Sequence, residues 1–273
     1  MTILNILAVV AAVLYAAAAV VLLMNLTRTE VQENADPPAS RGRNALMLAA
    51  VAMCIHAVVA IQQTGLPQSL QLPLLVSMNV AALFIVLLLL AICLRQQAHY
   101  LGLAVFPLSA VVILLSRGTK SSSTSLTLDI ELHVLMSLTA YAFLALAAVQ
   151  AVLVWVQRKK LHDHKPGGML RALPALDETE RLLFTLLLAG FVTLTLSLST
   201  GIFYLEDMFA QHLVHKTVLS VMAWIIFGLL LFARWRWGWR GKRAVFWTLV
   251  GFLVLILAYF GSKFVLEIVL NRI

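Results

Sequence analysis

Two histidines lie within long apolar stretches of this 273-residue chain. His56 falls in a segment, between Arg43 and Arg95, that has no Asp, Glu, Lys or Arg, and His133 opens a second apolar run. An ionisable side chain at membrane depth is costly, so such residues commonly mark functional sites. Two imidazoles from different helices can together ligate a haem iron inside a helical bundle. The pair is therefore the first candidate for cofactor chemistry, with His56 and His133 as the metal ligands.

Further polar side chains in the apolar runs could support this pair. A ligating imidazole normally has a hydrogen-bond partner that orients its ring, and a lysine at the water boundary can pair with an anionic propionate. The predicted supporting residues are Asn79, Ser137, Tyr141 and Thr200 for the rings, and Lys216 for the propionate. With a helical rise of about 1.5 Å per residue, all of them fall in the outer half of a bilayer.

Each of these residues also has a simpler interpretation. A single histidine in a helix bundle is often a hydrogen-bonded structural residue, and Asn79 could join helices in the same way. Lys216 could extend its amine to the membrane surface. His212 and His215 have the i, i+3 spacing of a helical ligand pair, but only loop carboxylates are near in sequence as further ligands, so their role is left open.

The elements that must carry these residues are membrane-spanning helices. Apolar residues make up 62% of the chain and the mean hydropathy is +0.96, and about 20 apolar residues suffice for one helical crossing. Eight spans are predicted, at about 3–24, 45–63, 72–94, 100–116, 131–156, 181–205, 214–233 and 244–266. The fourth is short and contains Pro107, which removes a backbone donor. The runs lack the two-residue alternation of a barrel wall. We therefore expect an all-α polytopic helix bundle, with residues 1–273 forming a single transmembrane domain.

The distribution of basic residues predicts the orientation. Fifteen of the 20 Lys and Arg residues lie in the segments after spans one, three, five and seven, and such segments are expected in the cytoplasm. Both termini are then periplasmic, in a multi-pass protein of the bacterial inner (plasma) membrane. The net charge of +8 is explained by this orientation signal and by attraction to anionic lipid. It gives no reason to expect a nucleic-acid partner.

Several segments of the chain resemble a known family. They are HVLMSLTAYAFLALAAVQAVL from His133, then LPALDETERLLF, GFVTLTLSLSTGIFY, HKTVLSVMAW and GWRGKRAVFWTLVGFLVLILAYFGSK. Together they resemble the cytochrome c assembly family of integral membrane proteins (CcsA/CcmC-type), specifically its HemX-like and YpjD-like branch of eight-span proteins. The N-terminal half resembles that branch in its number of spans and in the lone histidine of CIHAVV.

The resemblance implies the fold of the haem-handling CcsA and CcmC proteins and a bound b-type haem. His56 and His133 stand at the positions of the branch's intramembrane histidines, which implies an axial-ligand role for both. Lys216 matches a K-x-x-x-S-x-x-x-W motif, with Ser220 and Trp224, whose role is not assigned. The tryptophan-rich WWD segment of CcsA and CcmC is missing, because the predicted outer loop 117–129 contains no Trp. Delivery of haem to an apocytochrome is therefore not expected from the sequence.

The leading hypothesis is a non-enzymatic, haem-binding membrane protein that resembles cytochrome c biogenesis factors, with haem b clamped between the second and fifth spans. The alternative is a non-catalytic scaffold or regulatory partner of the haem pathway that binds no cofactor. A small transporter or an electron conduit is a third possibility. The expected partners are haem, anionic lipid at the basic cytoplasmic face, and a membrane or haem-pathway protein.

Overall fold

The computed structural model describes residues 2–28, 42–64, 73–119, 128–162, 173–204, 214–261 and 264. In this part of the chain every regular element is helical, so the all-α prediction is confirmed. The α-helices are α1 (Thr2–Arg28), α2 (Arg43–Thr64), α3 (Leu74–Cys93), α4 (Gly102–Leu115), α5 (Leu128–His162), α6 (Leu176–Tyr204), α7 (Val214–Trp237) and α8 (Lys242–Ile256). A 3₁₀ turn, His99–Leu101, precedes α4, and a π-helical turn, Leu257–Gly261, continues α8.

Seven helices in the described residues are long and apolar enough to cross a membrane. Their spanning segments are Ile3–Thr27, Arg43–Thr64, Leu74–Cys93, Leu132–His162, Leu176–Ile202, Lys216–Trp237 and Lys242–Gly261. Each corresponds to one predicted span. The fourth predicted span is a shorter apolar helix, His99–Leu115, with Pro107 inside it. The eight-span count therefore stays a prediction.

Two helices extend further than the predicted membrane spans. α5 continues to His162, past the predicted end at residue 156, and α6 begins at Leu176 and not at residue 181. The added residues suit the ends of helices, because cations favour the C-terminal turn and carboxylates the N-terminal turn. Lys159 and Lys160 lie in the last turn of α5, and Asp177 and Glu178 lie in the first turn of α6. Part of the predicted cytoplasmic loop is thus helical.

The chain divides into two compact units, Met1–Ser125 with Lys159–Ala175, and Leu126–Arg158 with Leu176–Ile273. Each unit is described by itself below. In the first unit, α1 packs against α2 and α4 through small side chains, and Ala8, Ala11, Ala45, Ala49 and Ala52 are almost completely buried. Small residues allow close approach of helices where lipid supplies no hydrophobic driving force.

One close contact between helices of the second unit lies at a glycine. A Cβ added to Gly190 on α6 would lie 2.7 Å from both Cγ and Cδ2 of Leu144 on α5. Leu144 is completely buried, as are Leu146 and Leu187. Gly190 therefore permits the contact between α5, which carries His133, and α6.

Candidate functional site

His56 is completely buried in the first unit and contacts two other helices. Its Nε2 atom lies 2.9 Å from the Oδ1 atom of Asn79 on α3, and its Nδ1 atom lies 3.2 Å from the hydroxyl of Tyr15 on α1. The Tyr15 ring meets the imidazole edge to face, with ring centroids 5.8 Å apart, and stacks on Phe106 of α4. Residues of α1 and α3 thus hold this imidazole of α2, and Phe106 of α4 packs against Tyr15.

The direction of each hydrogen bond follows from the next partner along the network. The Asn79 amide nitrogen donates to the Oε1 atom of Gln63 at 2.9 Å, so the Asn79 oxygen faces the imidazole as an acceptor. His56 Nε2 must then carry the ring hydrogen and donate it, which leaves Nδ1 to accept from the Tyr15 hydroxyl. The network assigns one tautomer, with the proton on Nε2.

The network continues to the ends of α2 and α4. Gln63 donates to the Ser116 backbone carbonyl at 2.9 Å, and the Ser116 hydroxyl donates to the Ile113 carbonyl at 3.0 Å. A small cleft near this end is lined by residues that include Asn5, Gln62, Gln63, Arg117 and Thr119. The polar atoms of His56, Asn79 and Gln63 are therefore satisfied by protein partners over the whole length of the network.

His133 has a different environment in the second unit. Its Nδ1 atom lies 2.9 Å from the Ser197 backbone carbonyl of α6 and 3.2 Å from the Thr200 hydroxyl. A carbonyl oxygen only accepts, so Nδ1 carries the hydrogen and donates it, and Nε2 keeps its lone pair. No described residue forms a hydrogen bond with Nε2. A metal-ligating histidine is usually oriented in this way, by an Nδ1–H bond to a carbonyl.

Two hydroxyl groups fix α5 to α6 beside His133. The Ser137 hydroxyl donates to the His133 carbonyl at 2.8 Å and lies 2.7 Å from the Ser197 hydroxyl. The Thr200 hydroxyl donates to the Ser197 carbonyl at 2.8 Å. Ser137 and Thr200 therefore lie beside the predicted ligand, where the sequence placed them as partners.

Tyr141 and Lys216 lie in an aromatic cluster of the second unit. The Tyr141 hydroxyl donates to the Leu255 backbone carbonyl at 2.8 Å, where α8 approaches its π-helical turn. Its ring lies 6.0 Å from that of Tyr259, and the Lys216 amine lies 5.9 Å from the Tyr259 ring centroid. The hydroxyl of Tyr141 thus binds the backbone of α8, whereas the sequence predicted it as a partner of an imidazole.

The predicted pair His212 and His215 is not placed. His212 lies outside the described residues, and His215 is in α7 but its side chain is not described. Among the described residues, no group of three or more His, Cys, Asp and Glu side chains could hold a metal ion.

A cluster of charged residues, which the sequence did not predict, joins three segments of the second unit. Glu180 of α6 is almost completely buried and accepts hydrogen bonds at 2.9 Å from Arg158 of α5 and from Arg240, between α7 and α8. Arg240 also pairs with Asp177. The hydrogen bond and then the negative charge of Glu180 raise the pKa of Arg240 above its usual range. The signal in the sequence was a carboxylate, Glu180, one turn after Asp177 and next to an apolar run.

Comparison with known proteins connects these sites to a family. Residues 42–270, most of the chain, match the family described as Cytochrome C assembly protein. The chain belongs to this family. The family resemblance found in the sequence is confirmed, and His56 and His133 both lie within the matched region. The seven apolar helices of the described residues and the similarity to an inner membrane protein are consistent with a multi-pass protein of the bacterial inner membrane.

The chain is similar to several curated proteins. The chain is 37% identical over 138 residues to the inner membrane protein YpjD of Escherichia coli, covering 50% of this chain and 52% of YpjD. It is 27% identical over 142 residues to the protein HemX of Brevibacillus brevis, covering 51% and 52% of the two chains. The cytochrome c biogenesis protein CcsA of Prochlorococcus marinus is 29% identical over 90 residues, which cover 32% of this chain and 29% of CcsA.

The chain spans about half the length of YpjD and HemX. No solved structure matches it.

The histidines of this family member differ in how readily they could hold a haem iron. A ligating imidazole nitrogen must present a free lone pair. His133 meets this condition as it stands, because its ring is oriented through Nδ1. His56 meets it only after one of its two hydrogen bonds breaks. The donor set therefore fits one iron ligand directly and the other after an exchange of partners.

Proposed function

We propose that the protein is a non-enzymatic, haem-binding factor of the bacterial inner membrane that takes part in cytochrome c biogenesis. His56 and His133 are the proposed axial ligands of a b-type haem in the outer half of the bilayer. The observation that carries the proposal is the orientation of His133, whose Nδ1 donates to the Ser197 carbonyl while Nε2 is left to bind a metal. The family membership supports it, because cytochrome c maturation requires the handling of haem.

The neighbouring residues have separate proposed roles in this site. Thr200 supports the orientation of His133, and Asn79 holds the ring of His56 by a hydrogen bond. Lys216 would place a positive charge at the outer boundary for a propionate, beside the cluster that contains Tyr141. A bound haem would supply a redox-active iron centre at this site.

We further propose eight membrane crossings with both ends of the chain in the periplasm, with the shorter apolar helix His99–Leu115 completing the count. The basic region between α7 and α8 supports a cytoplasmic position for that end. Arg234 lies 4.6 Å from the Phe184 ring centroid and Arg243 lies 5.6 Å from that of Trp239. Trp235 is 80% exposed. Exposed Trp beside Arg is typical of a membrane interface and would attract anionic lipid.

A second candidate is a scaffold or regulatory partner of the haem pathway without a cofactor. The hydrogen bonds of His56 favour it, because both ring nitrogens already have protein partners and the residue needs no metal to be stable in the membrane. The similarity to HemX is compatible with either candidate.

The absorbance spectrum of the purified protein separates the two candidates. The protein is expressed with ample haem precursor and purified in detergent, with His56→Ala, His133→Ala and His162→Ala prepared in parallel. His162 is an exposed histidine at the other end of α5 and serves as the matched control. We expect a sharp Soret band that is retained in His162→Ala and is lost or shifted in the other two variants. A colourless protein, or a spectrum indifferent to His133, would exclude the haem proposal.

A role in biogenesis is tested separately in cells. A strain that lacks the gene is scored for covalently attached haem on its c-type cytochromes, with and without the wild-type gene restored. We expect reduced attachment that the wild-type gene restores and His133→Ala does not. Normal maturation in the deletion strain would refute the assembly role even if the pigment is genuine.

A further inference from the structure

We propose that the turn between α7 and α8 presents a binding surface for the headgroup of an anionic phospholipid, made by Arg236, Lys242 and Arg243 with exposed aromatic rings beside them. This headgroup surface deepens the lipid contact proposed above and rests on that part of the proposed function. All of its residues belong to the second unit. Three basic residues bind the lipid in this proposal, whereas three other arginines near the turn hold the fold.

The turn that carries the headgroup surface has a fixed backbone. Residues 238–241 connect α7 to α8. Gly238 has a φ of 64°, and its amide donates to the Arg234 carbonyl at 3.1 Å. The next amide, that of Trp239, donates to the Ala233 carbonyl at 3.3 Å. These two bonds form a Schellman motif, which ends a helix at a glycine. The side chains on either side of the turn are therefore presented by a defined backbone.

Three arginines near this turn are directed at protein acceptors. Arg158 and Arg240 each donate to one oxygen of Glu180 at 2.9 Å. Arg234 donates to the Trp239 carbonyl at 3.4 Å. A guanidinium that is held by a carboxylate or a carbonyl has fewer donors left for another anion. These three arginines therefore brace the turn, and we do not assign them to the lipid.

The three basic residues of the headgroup surface are placed differently. Arg236, Lys242 and Arg243 are exposed, and none of them pairs with a carboxylate among the described residues. Arg243 lies over the Trp239 ring, 5.6 Å from its centroid, a contact that positions the guanidinium without neutralising it. Lys242 and Arg243 also lie in the first turn of α8, where the helix dipole disfavours cations. An anion at this surface would balance their charge.

Exposed aromatic rings indicate that this anion belongs to a lipid. Each of the three cations has an exposed aromatic residue four positions further into its span: Phe232 for Arg236, Phe246 for Lys242 and Trp247 for Arg243. Residues four apart share one face of a helix and are separated by about 6 Å along its axis. A phospholipid has a phosphate for the cations and acyl chains for the rings, whereas a soluble anion has no apolar part to contact them.

The expected preference follows from the number of cations. A Lys or Arg at an anionic membrane surface raises the affinity about fivefold. We therefore expect Arg236→Gln, Lys242→Gln and Arg243→Gln each to lower the preference for phosphatidylglycerol over phosphatidylcholine about fivefold. The triple variant should have no preference. Because salt screens exposed charges, the preference of the wild type should also fall at high ionic strength.

The test uses the tryptophans of this region as reporters. The full-length protein is reconstituted in phosphatidylcholine vesicles that contain increasing fractions of dibrominated phosphatidylglycerol or dibrominated phosphatidylcholine. Bromine quenches a nearby indole, and four of the six tryptophans lie between residues 235 and 247. Arg181→Gln is the matched control, because Arg181 is an exposed cation of α6 outside the headgroup surface. We expect stronger quenching by phosphatidylglycerol in the wild type and in Arg181→Gln, and equal quenching by both lipids in the triple variant.

Three results would overturn the proposal. The first is equal quenching by the two brominated lipids in the wild type, or a preference that survives in the triple variant. The second is a loss in Arg181→Gln as large as in the single variants, since total charge would then explain the preference. The third is relief of quenching by inorganic phosphate at constant ionic strength, which would assign the cations to a soluble anion.

The outcome is separable from the rest of the proposed function. The vesicles carry the brominated lipid in both leaflets, so the lipid preference is measured whatever the orientation of the protein. The cytoplasmic position is tested by labelling Lys242→Cys with a membrane-impermeant maleimide, above the labelling of the unsubstituted protein, in spheroplasts and in inverted vesicles. Labelling in spheroplasts alone would refute that position and leave the lipid preference standing, and a protein without haem would leave it standing too.

Discussion

The close contact between α5 and α6 at Gly190 gives a prediction that can be worked out from distances. Replacing Gly190 with alanine would place a carbon atom 2.7 Å from both Cγ and Cδ2 of Leu144 and 3.2 Å from Cβ of Phe143. Two non-bonded carbons prefer a separation of about 3.5–4.0 Å. Cγ is the branch point of the leucine and not its flexible end. The two helices must therefore move apart, or Leu144 must leave its rotamer.

The expected cost combines two opposing contributions. Overpacking of a buried contact costs about 1–3 kcal/mol. Alanine in place of glycine inside a helix stabilises the helix by about 1 kcal/mol. Because Leu144 is completely buried and meets the methyl group with its branch point, we place the overpacking cost at about 2–3 kcal/mol. After the gain from alanine, Gly190→Ala should lower the free energy of unfolding by about 1–2 kcal/mol. This corresponds to a fall in Tm of about 2–4 °C for each kcal/mol.

The assay is thermal unfolding of the purified protein in detergent, arranged as a double-mutant cycle with Leu144→Ala. Leu144→Ala alone leaves a cavity and is expected to cost about 2–5 kcal/mol. In the double variant, the methyl group at position 190 enters that space. The double variant should therefore be destabilised by about 1–2 kcal/mol less than the sum of the two single variants. A Gly190→Ala protein as stable as the wild type, or strictly additive costs, would refute the close contact.

Single substitutions at three other contacts have defined outcomes. Tyr141→Phe removes the donor to the Leu255 carbonyl and should lower the unfolding free energy by about 1 kcal/mol; a stability equal to the wild type would contradict the bond. Gly241 has a φ of 64°, and the Cβ atom of Gly241→Ala would lie 2.5 Å from the Arg158 guanidinium carbon. We expect the free energy of unfolding to fall by about 1–3 kcal/mol in the same thermal assay; an unchanged Tm would argue against this geometry. Tyr15→Phe keeps the ring but strands a buried imidazole acceptor, so we expect a loss of about 1–2 kcal/mol; no loss would mean that the hydroxyl does not donate.

The helices of this protein were predictable because hydropathy is a local property of the chain. Every predicted span corresponds to an apolar helix, and the ends differ mainly where charged residues extend a helix. Lys159 and Lys160 lie beyond the predicted end of the fifth span, yet basic residues are favourable in the last turn of a helix. The fourth span shows the limit of the method, because a short apolar run with Pro107 has the composition of a crossing but little spare length.

The candidate site was predicted less completely. Sequence spacing placed Ser137 and Thr200 near His133, and they are there. Tyr15 was not predicted as part of the site, because a tyrosine in an alanine-rich span does not indicate which helix it faces. The charged cluster around Glu180 was missed for a similar reason, since its members are up to 82 residues apart, from Arg158 to Arg240. The axial-ligand role of both histidines stays a prediction.

By itself the sequence determined that this is an all-helical membrane protein of the cytochrome c assembly family, with imidazoles inside the apolar region. Only the tertiary structure decided what each imidazole contacts, because the partners depend on how a helix is rotated about its axis. That rotation gave His56 an amide acceptor on Nε2, and it gave His133 a backbone carbonyl at Nδ1. Two residues of the same type thereby acquired opposite tautomers, and the tautomer determines which nitrogen keeps a lone pair for a metal.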